Sequence, residues 1–293
     1  MQSSLQAWFH YVKAQCCLRD HILVLNMHTG GEPANLILNC GDLPGATMRE
    51  KVNQVSQSDG DYRYLHQTLM EAPVGHRDAL AAVITDPIDG YGSDFGVFFI
   101  DTGGTLDMCG DNIFAASIGL TELKLTTANP VLFDTASAGG GKDGVVGLHL
   151  KMDGDDVVNT TMNNVESFVL PEHQGEVSID CPGIGRVSCH YKIAYGGNLF
   201  AIIDADSMMV NKQKGIVVEP KNNQLFLDAG DMLRDHIRQE MGTVQIGKDS
   251  KQVDLVSFYS TKVQPNADTN IALVLKNTVV FGKQGALSLN RSP

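Results

Sequence analysis

Basic residues are scarce in this chain of 293 residues: 22 Lys and Arg stand against 34 Asp and Glu, for a formal charge of −12. That balance argues against a nucleic-acid partner, because no basic stretch is available to neutralise phosphates. Long hydrophobic runs are missing too. No stretch approaches the roughly 20 apolar residues a membrane span needs, so no membrane partner is expected. Cysteine is sparse and unpatterned: Cys16, Cys17, Cys40, Cys109, Cys181 and Cys189 show no framework spacing. A chain of this size does not need disulfide staples, which predicts reduced thiols and a cytoplasmic setting. No zinc-type CxxC pair accompanies Cys181 or the neighbours Cys189 and His190, so no metal is expected. Low-complexity tracts and short-period repeats are absent as well.

What is present is glycine, 30 residues of it, as expected of many short strands joined by tight turns. Residues 1–20 place Leu5, Trp8, Phe9 and Val12 on one face of a short amphipathic helix and read as a surface extension rather than a secretory signal. From His21 the pattern changes to short apolar runs. "HILVLNMH" and "ANLILNC" flank the turn "HTGGEP" as a strand pair, "ATMREKVNQVSQ" reads as a helix, and "ALAAVITD" and "FGVFFID" read as buried strands. "VLFDTAS" and "GVVGLHLKMDG" form an expected hairpin that "VVNTTMNNV" extends. The chain is expected to divide into a unit at 21–165 and a second at 166–293. In the second, "IGRVSCHYKIAYGGNLFAIID" repeats the strand pair with a glycine turn. "NNQLFLDAGDMLRDHIRQEMG" is the clearest amphipathic helix, with Leu225, Ala229, Met232, Leu233 and Ile237 on one face and Gly242 as its stop. "QVDLVSFYS" and "IALVLKNTVVFGK" are further strands. A coarse repetition links the units: "GVFFIDTGGTLDMCGDN" and "NTVVFGKQGALSLNRSP" are each an apolar strand followed by a glycine-bearing loop.

The first of these loops carries the chemistry. In "CGDNIFAASIGL", Ile113, Phe114, Ala115, Ala116, Ile118 and Leu120 cover nearly every side of a helical wheel, which predicts a buried helix. Cys109 would then sit at its first turn, beside the unpaired amides of Gly110, Asp111 and Asn112. Such an end favours a thiolate and offers N–H groups to a carboxylate. Position alone leaves two readings open, an inert packing thiol and a reactive one. "DTGGT" also invites the aspartic-protease loop D-T-G-[ST]. Gly104 lacks the hydroxyl expected there, and no second such loop exists to complete a carboxylate pair.

The segments "NMHTGGEPANLIL", "GHRDALAAVITDPI", "FGVFFIDTGGTLDMCGDNIFAAS", "YGGNLFAIIDA" and "VVFGKQGALSLNRSP" together resemble the proline racemase family. The resemblance implies an α/β (α+β) fold similar to diaminopimelate epimerase, two units that each wrap strands around a central helix. It implies a cofactor-independent isomerase of proline or hydroxyproline with its site in the cleft between the units. One cysteine thiolate removes the Cα proton, and a thiol on the opposite face returns one. On this resemblance Cys109 is the catalytic residue, and Gly110, Asp111 and Asn112 hold the substrate carboxylate at the helix end. His76 and Asp78 match a G-H-x-D segment, of which His76 is taken as a ligand contact. Asn198 and Phe200 are expected to line the cleft. His28 and Glu32 lie in a turn where a structural hydrogen-bonding role serves as well as a catalytic one. The partner is a small imino acid, with a homodimer also expected.

Three departures from the family pattern matter. Asp111 stands where the family's M-C-G-H has histidine. At ~8 Å and an effective dielectric of ~20 its repulsion of a thiolate is about 2 kcal/mol, above the roughly 0.3–1 kcal/mol of an exposed helix terminus. If Asp111 instead turns away and caps first-turn amides, the thiol is spared. Asn290 replaces the acid of a closing motif resembling D-R-S-P-C-G-T-G, and the sequence stops at Pro293, before that motif's cysteine. The second unit is therefore expected to be incomplete. Gly30 stands where glutamate is common. Two other readings stay open: a trans-3-hydroxyproline dehydratase-like lyase needing one cysteine, and an inactive remnant that binds a ligand or partner. Two-sided proton transfer needs an acid and a base within about 3 Å of the reacting centre. The 293-residue chain is thus expected not to racemise proline. Optical rotation followed on L-proline and both 4-hydroxyproline epimers checks this; sustained inversion at enzymatic rates would mean another group serves as the second acid.

Overall fold

The computed structural model describes residues 22–38, 43–56, 63–73, 75–76, 78–137, 141–261, 275–281 and 286–288. The expected N-terminal helix, Cys16, Cys17, Cys40 and Asn290 lie outside them. The chain divides into two units, Met1–Glu166 and Ser167–Pro293.

The first unit is built on β1 (Val24–Thr29), β2 (Glu32–Ile37), α1 (Met48–Ser56), α2 (Arg63–Met70), β3 (Leu80–Thr85), β4 (Phe95–Asp101), β5 (Gly104–Leu106), α3 (Gly110–Glu122), β6 (Val131–Asp134), β7 (Val145–Asp153) and β8 (Asp156–Asn163). The sheet runs β1-β2-β3-β4-β6-β7-β8, with β5 hydrogen-bonded to β4. β1 and β2 close through Gly30 and Gly31, whose φ values of 61° and 101° are the left-handed conformations a two-residue hairpin turn demands. β2 pairs in parallel with β3, and β4 with β6. Parallel neighbours need crossover connections, and these carry the helices. On one face Met48, Val52 and Val55 of α1 and Leu65 and Leu69 of α2 pack against Ile37, Ala81, Val83, Phe98 and Ile100. α3 contacts β1, β2, β3, β7 and β8, so strands surround it. Ile113, Ala116 and Leu120 are fully enclosed, whereas Phe114 and Ile118 are half-buried.

Nothing in the sequence reading anticipated α2. β6 and β7 pair antiparallel, but residues 135–144 join them in place of a tight turn.

The second unit contains β9 (Phe168–Cys181), β10 (Gly185–Tyr195), β11 (Leu199–Asp204), β12 (Met209–Val210), β13 (Gln213–Lys214), α4 (Asn223–Met241), β14 (Val244–Ile246), β15 (Asp249–Lys251), β16 (Leu255–Ser260), β17 (Lys276–Phe281) and β18 (Ala286–Ser288). The 14-residue β9 was also unanticipated. Its alternation of exposed charge with scattered apolar residues marks an edge strand, bonded to β10 alone. The pairing repeats the first unit. An antiparallel pair β10-β11 is followed by a helical crossover to parallel β16, then by antiparallel β17 and β18. This is the order β1, β2, β3, β4, β5, and it gives the repetition in sequence a structural form.

α4 packs on β9, β16 and β17. Its buried face is Phe226, Leu227, Ala229, Gly230, Leu233, Arg234 and Ile237, rotated from the expected one so that Leu225 and Met232 are only half-buried. The Phe226 ring lies 4.9 Å from that of Phe258 and fixes this rotation. On the other face of the sheet Phe200 and Val279, both partly buried, pack against Leu255 and Phe281. Among the described residues of this unit no helix covers that face. It bears an open groove of about 600 Å³ lined by Glu176, His190, Lys192, Asp204 and Tyr259, among others.

Gly230 lets α4 approach β17 closely. A Cβ there would lie 2.8 Å from Cγ2 of Val280. Gly230→Val is expected to cost about 1–3 kcal/mol from overpacking, read as a lower urea midpoint with an unchanged slope.

Candidate active site

Cys109 is the residue that enters α3. Its backbone is extended, φ −144° and ψ 112°, and its carbonyl accepts the N–H of Ile113 at 3.1 Å. The amides of Gly110 and Asp111 fall in the first turn, where a helix supplies no internal acceptor. The Cys109 side chain makes no capping bond. Instead Asn112 Nδ2 donates to Cys109 Sγ at 3.6 Å and to the Pro33 carbonyl at 3.3 Å. Thr29 Oγ1 donates to the Asp111 carbonyl at 2.7 Å. The β1-β2 turn therefore grips the first turn of α3 from across the sequence. Asn112 is fully buried, and its Oδ1 has no partner among the described residues.

The electrostatics of the thiol follow from this enclosure. Cys109 is half-buried, and desolvation pushes its pKa up to about 12. Burial is the largest cause; the backbone N–H of Asn112 opposes it, Asp111 adds repulsion, the Asn112 side chain opposes again, and Glu32 adds a little more repulsion. Burial, more than the Asp111 charge weighed from sequence, keeps the thiol protonated. Asp111 itself has its carboxyl pKa raised by burial. Glu32 is a neighbour the sequence did not link to Cys109, since nothing in their spacing shows that the hairpin turn meets the helix end.

The other candidates are distributed differently. His76 is exposed on the turn before β3, where its Nδ1 accepts the N–H of Asp78 at 3.2 Å. Asn198 is buried between β10 and β11, and its carbonyl accepts the N–H of Gly196 at 3.1 Å. Phe200 lies on the second unit's sheet as described above. Cys181 and Cys189 are buried on β9 and β10, and burial raises the Cys189 pKa to about 12 as well. Among the described residues no group of three or more His, Cys, Asp or Glu side chains is arranged to hold a metal ion. None of their helices is long and apolar enough to cross a membrane.

Fold comparison places the chain beside a hydroxyproline epimerase from Agrobacterium vitis, solved with bound trans-4-hydroxy-L-proline. The TM-score is 0.72 at 21% identity, over 91% of this chain and 72% of that one. The architecture is thus the diaminopimelate epimerase-like fold of proline racemases and hydroxyproline epimerases. The family model described as proline racemase matches residues 24–293, and the chain belongs to that family. Proline racemase A of Trypanosoma cruzi is 33% identical over 286 residues, covering 92% of this chain but 59% of the relative. Proline racemase of Clostridioides difficile is 31% identical over 280 residues, covering 93% of this chain and 74% of the relative. The chain therefore spans about three-fifths to three-quarters of the length of these relatives.

Two substitutions separate the causes acting on the thiol. A thiol with a pKa of about 12 is ionised to only about one part in ten thousand at pH 8. Its alkylation should therefore rise steadily with pH across the accessible range. Asp111→His removes a charge that raises the pKa and should speed alkylation of Cys109 at pH 8 by roughly tenfold. An unchanged or slower rate would show that Asp111 acts mainly as a cap. Asn112→Ala removes a donor to the thiolate and should slow the same reaction by about tenfold. Iodoacetamide labelling resolved by peptide mass spectrometry measures both.

Proposed function

We propose that the chain is a cofactor-independent, proline racemase-type enzyme that uses Cys109 to remove the Cα proton of proline or hydroxyproline. The observation that carries this reading is the placement of Cys109 at the start of α3, with Asn112 Nδ2 3.6 Å from its Sγ. The relatives act, by their names, on proline, and the solved neighbour holds a hydroxyproline. In the proposed step the substrate carboxylate accepts the N–H groups of Gly110 and Asp111, which lack acceptors within the helix. The thiolate takes the Cα proton, and the electron pair left behind spreads into that carboxylate, stabilised by the same N–H groups. The buried Asn112 Oδ1, which lacks a donor among the described residues, suits the protonated ring nitrogen of an imino acid. Asn198, Phe200, Asn290 and His76 are kept as further substrate contacts on the strength of the motif matches alone. A cytoplasmic setting and a homodimer belong to the same proposal.

A second reading, binding without turnover, is favoured by the Cys109 pKa of about 12, which leaves little thiolate at neutral pH. The two are separated in D₂O. On the first reading the Cα proton signals of L-proline, trans-4-hydroxy-L-proline or trans-3-hydroxy-L-proline fade in the ¹H spectrum, and Cys109→Ala abolishes the loss. Dehydration of the 3-hydroxylated substrate alone would identify a lyase. Protection of Cys109 from alkylation by pyrrole-2-carboxylate, with no exchange or dehydration in any substrate, would establish the binding reading.

A further inference from the structure

Cys109 is delivered by the loop that runs from β4 through β5, and this loop is tied to α1 and α2 at three points. Arg49 of α1 reaches Asp107, two residues before the cysteine, with Nη2 2.5 Å from Oδ2. The same Nη2 donates to the Ala136 carbonyl at 3.0 Å. Ser56, at the end of α1, bonds Thr105 Oγ1 at 3.0 Å, and His66 Nε2 of α2 lies 3.0 Å from the Asp101 carbonyl. Within the loop Asp101 Oδ1 accepts the N–H groups of Gly103 and Gly104 at 2.7 and 2.9 Å. Ser137 Oγ holds the Asp107 carbonyl at 3.2 Å. Of these ties the Arg49 bridge is nearest in sequence to the thiol and is the charged one, and the Asp107 side chain it meets is almost wholly buried. A charge pair in that setting holds geometry more stringently than an exposed one, because releasing either partner leaves the other charge buried.

We infer that Arg49 is a positioning residue for Cys109, holding through Asp107 and Ala136 the loop that sets the thiol against the first turn of α3. The assignment rests on reading Cys109 as the reactive thiol. Arg49 joins α1, on one side of the sheet, to Asp107, two residues before the cysteine that enters α3, and α3 is packed among strands elsewhere in the unit. With the Ser56 and His66 contacts, Arg49 couples the α1-α2 layer to the loop that leads into α3. A lysine in its place keeps the charge but replaces the fixed N–H directions of the guanidinium with a rotating ammonium.

The test is alkylation of each cysteine in the full chain, followed by peptide mass spectrometry from pH 7 to 10. Loosening the loop admits water to a thiol whose reactivity burial suppresses. Arg49→Met should therefore alkylate Cys109 roughly three- to tenfold faster at pH 8. Cys189, buried in the other unit, should react at the wild-type rate, and Arg49→Lys should fall between the two. An unchanged Cys109 rate overturns the inference. So does a parallel rise at Cys189 with a lowered melting temperature, which would make Arg49 merely stabilising. Protection of wild-type Cys109 by pyrrole-2-carboxylate is scored separately. Its absence would count against the ligand role of Cys109, while the Arg49 comparison still decides the positioning role.

Discussion

The packing of Asn112 and Ile113, the buried part of the first turn of α3, is the constraint from which the rest of the candidate site follows. A helix end taken out of water must find partners for its polar groups. The β1-β2 hairpin supplies two: Thr29 Oγ1 for the Asp111 carbonyl, and the Pro33 carbonyl for the Asn112 side-chain amide. Desolvation at this end raises the Cys109 pKa by more than the nearby Asn112 N–H groups lower it. The thiol is consequently well placed and mostly protonated. These two properties have one cause, since a water-filled site would relax the pKa and lose the orientation.

The surrounding architecture serves this placement. α3 is held among β1, β2, β3, β7 and β8, so strands meet it from several sides. α1 and α2 fill the opposite face with a core of their own. The second unit repeats the strand order with α4 as its crossover helix, and α4 lies on the face equivalent to that of α1 and α2. The α3-like position has no helix among the described residues of that unit. Phe200 and Val279 remain only partly buried there.

Much of this was legible in sequence where periodicity and turn chemistry agree. β1 and β2 around Gly30-Gly31, β10 and β11 around a second glycine turn, α1, α3 and the extent of α4 all follow from such local signals. Elements whose patterns are diluted were not legible. α2 is short, with polar residues between Leu65 and Leu69, and β9 alternates too weakly at a sheet edge to stand out. The buried face of α4 lies a fraction of a turn from its aliphatic stripe, with Phe226 packed on Phe258. At the site, Cys109, Gly110, Asp111 and Asn112 are adjacent in sequence and so could be read as a group. Thr29, Pro33, Glu32, Arg49 and Asp107 could not, because their meeting depends on how separate elements pack.

By itself the sequence determined family membership, the strand-and-loop repetition, and a cysteine at the head of an apolar helix. Each of these is written in local runs of residues whose propensities and spacing act within a few turns of chain. Only the tertiary structure decided how that cysteine behaves. Whether a thiol at a helix end is ionised depends on the balance between lost hydration and nearby donors and charges. The donors and the larger charge are local, Asn112 and Asp111, whereas the desolvation that outweighs them and the charge of Glu32 arise from how separate elements pack. Desolvation is a property of the packed surroundings, and no spacing along the chain encodes it.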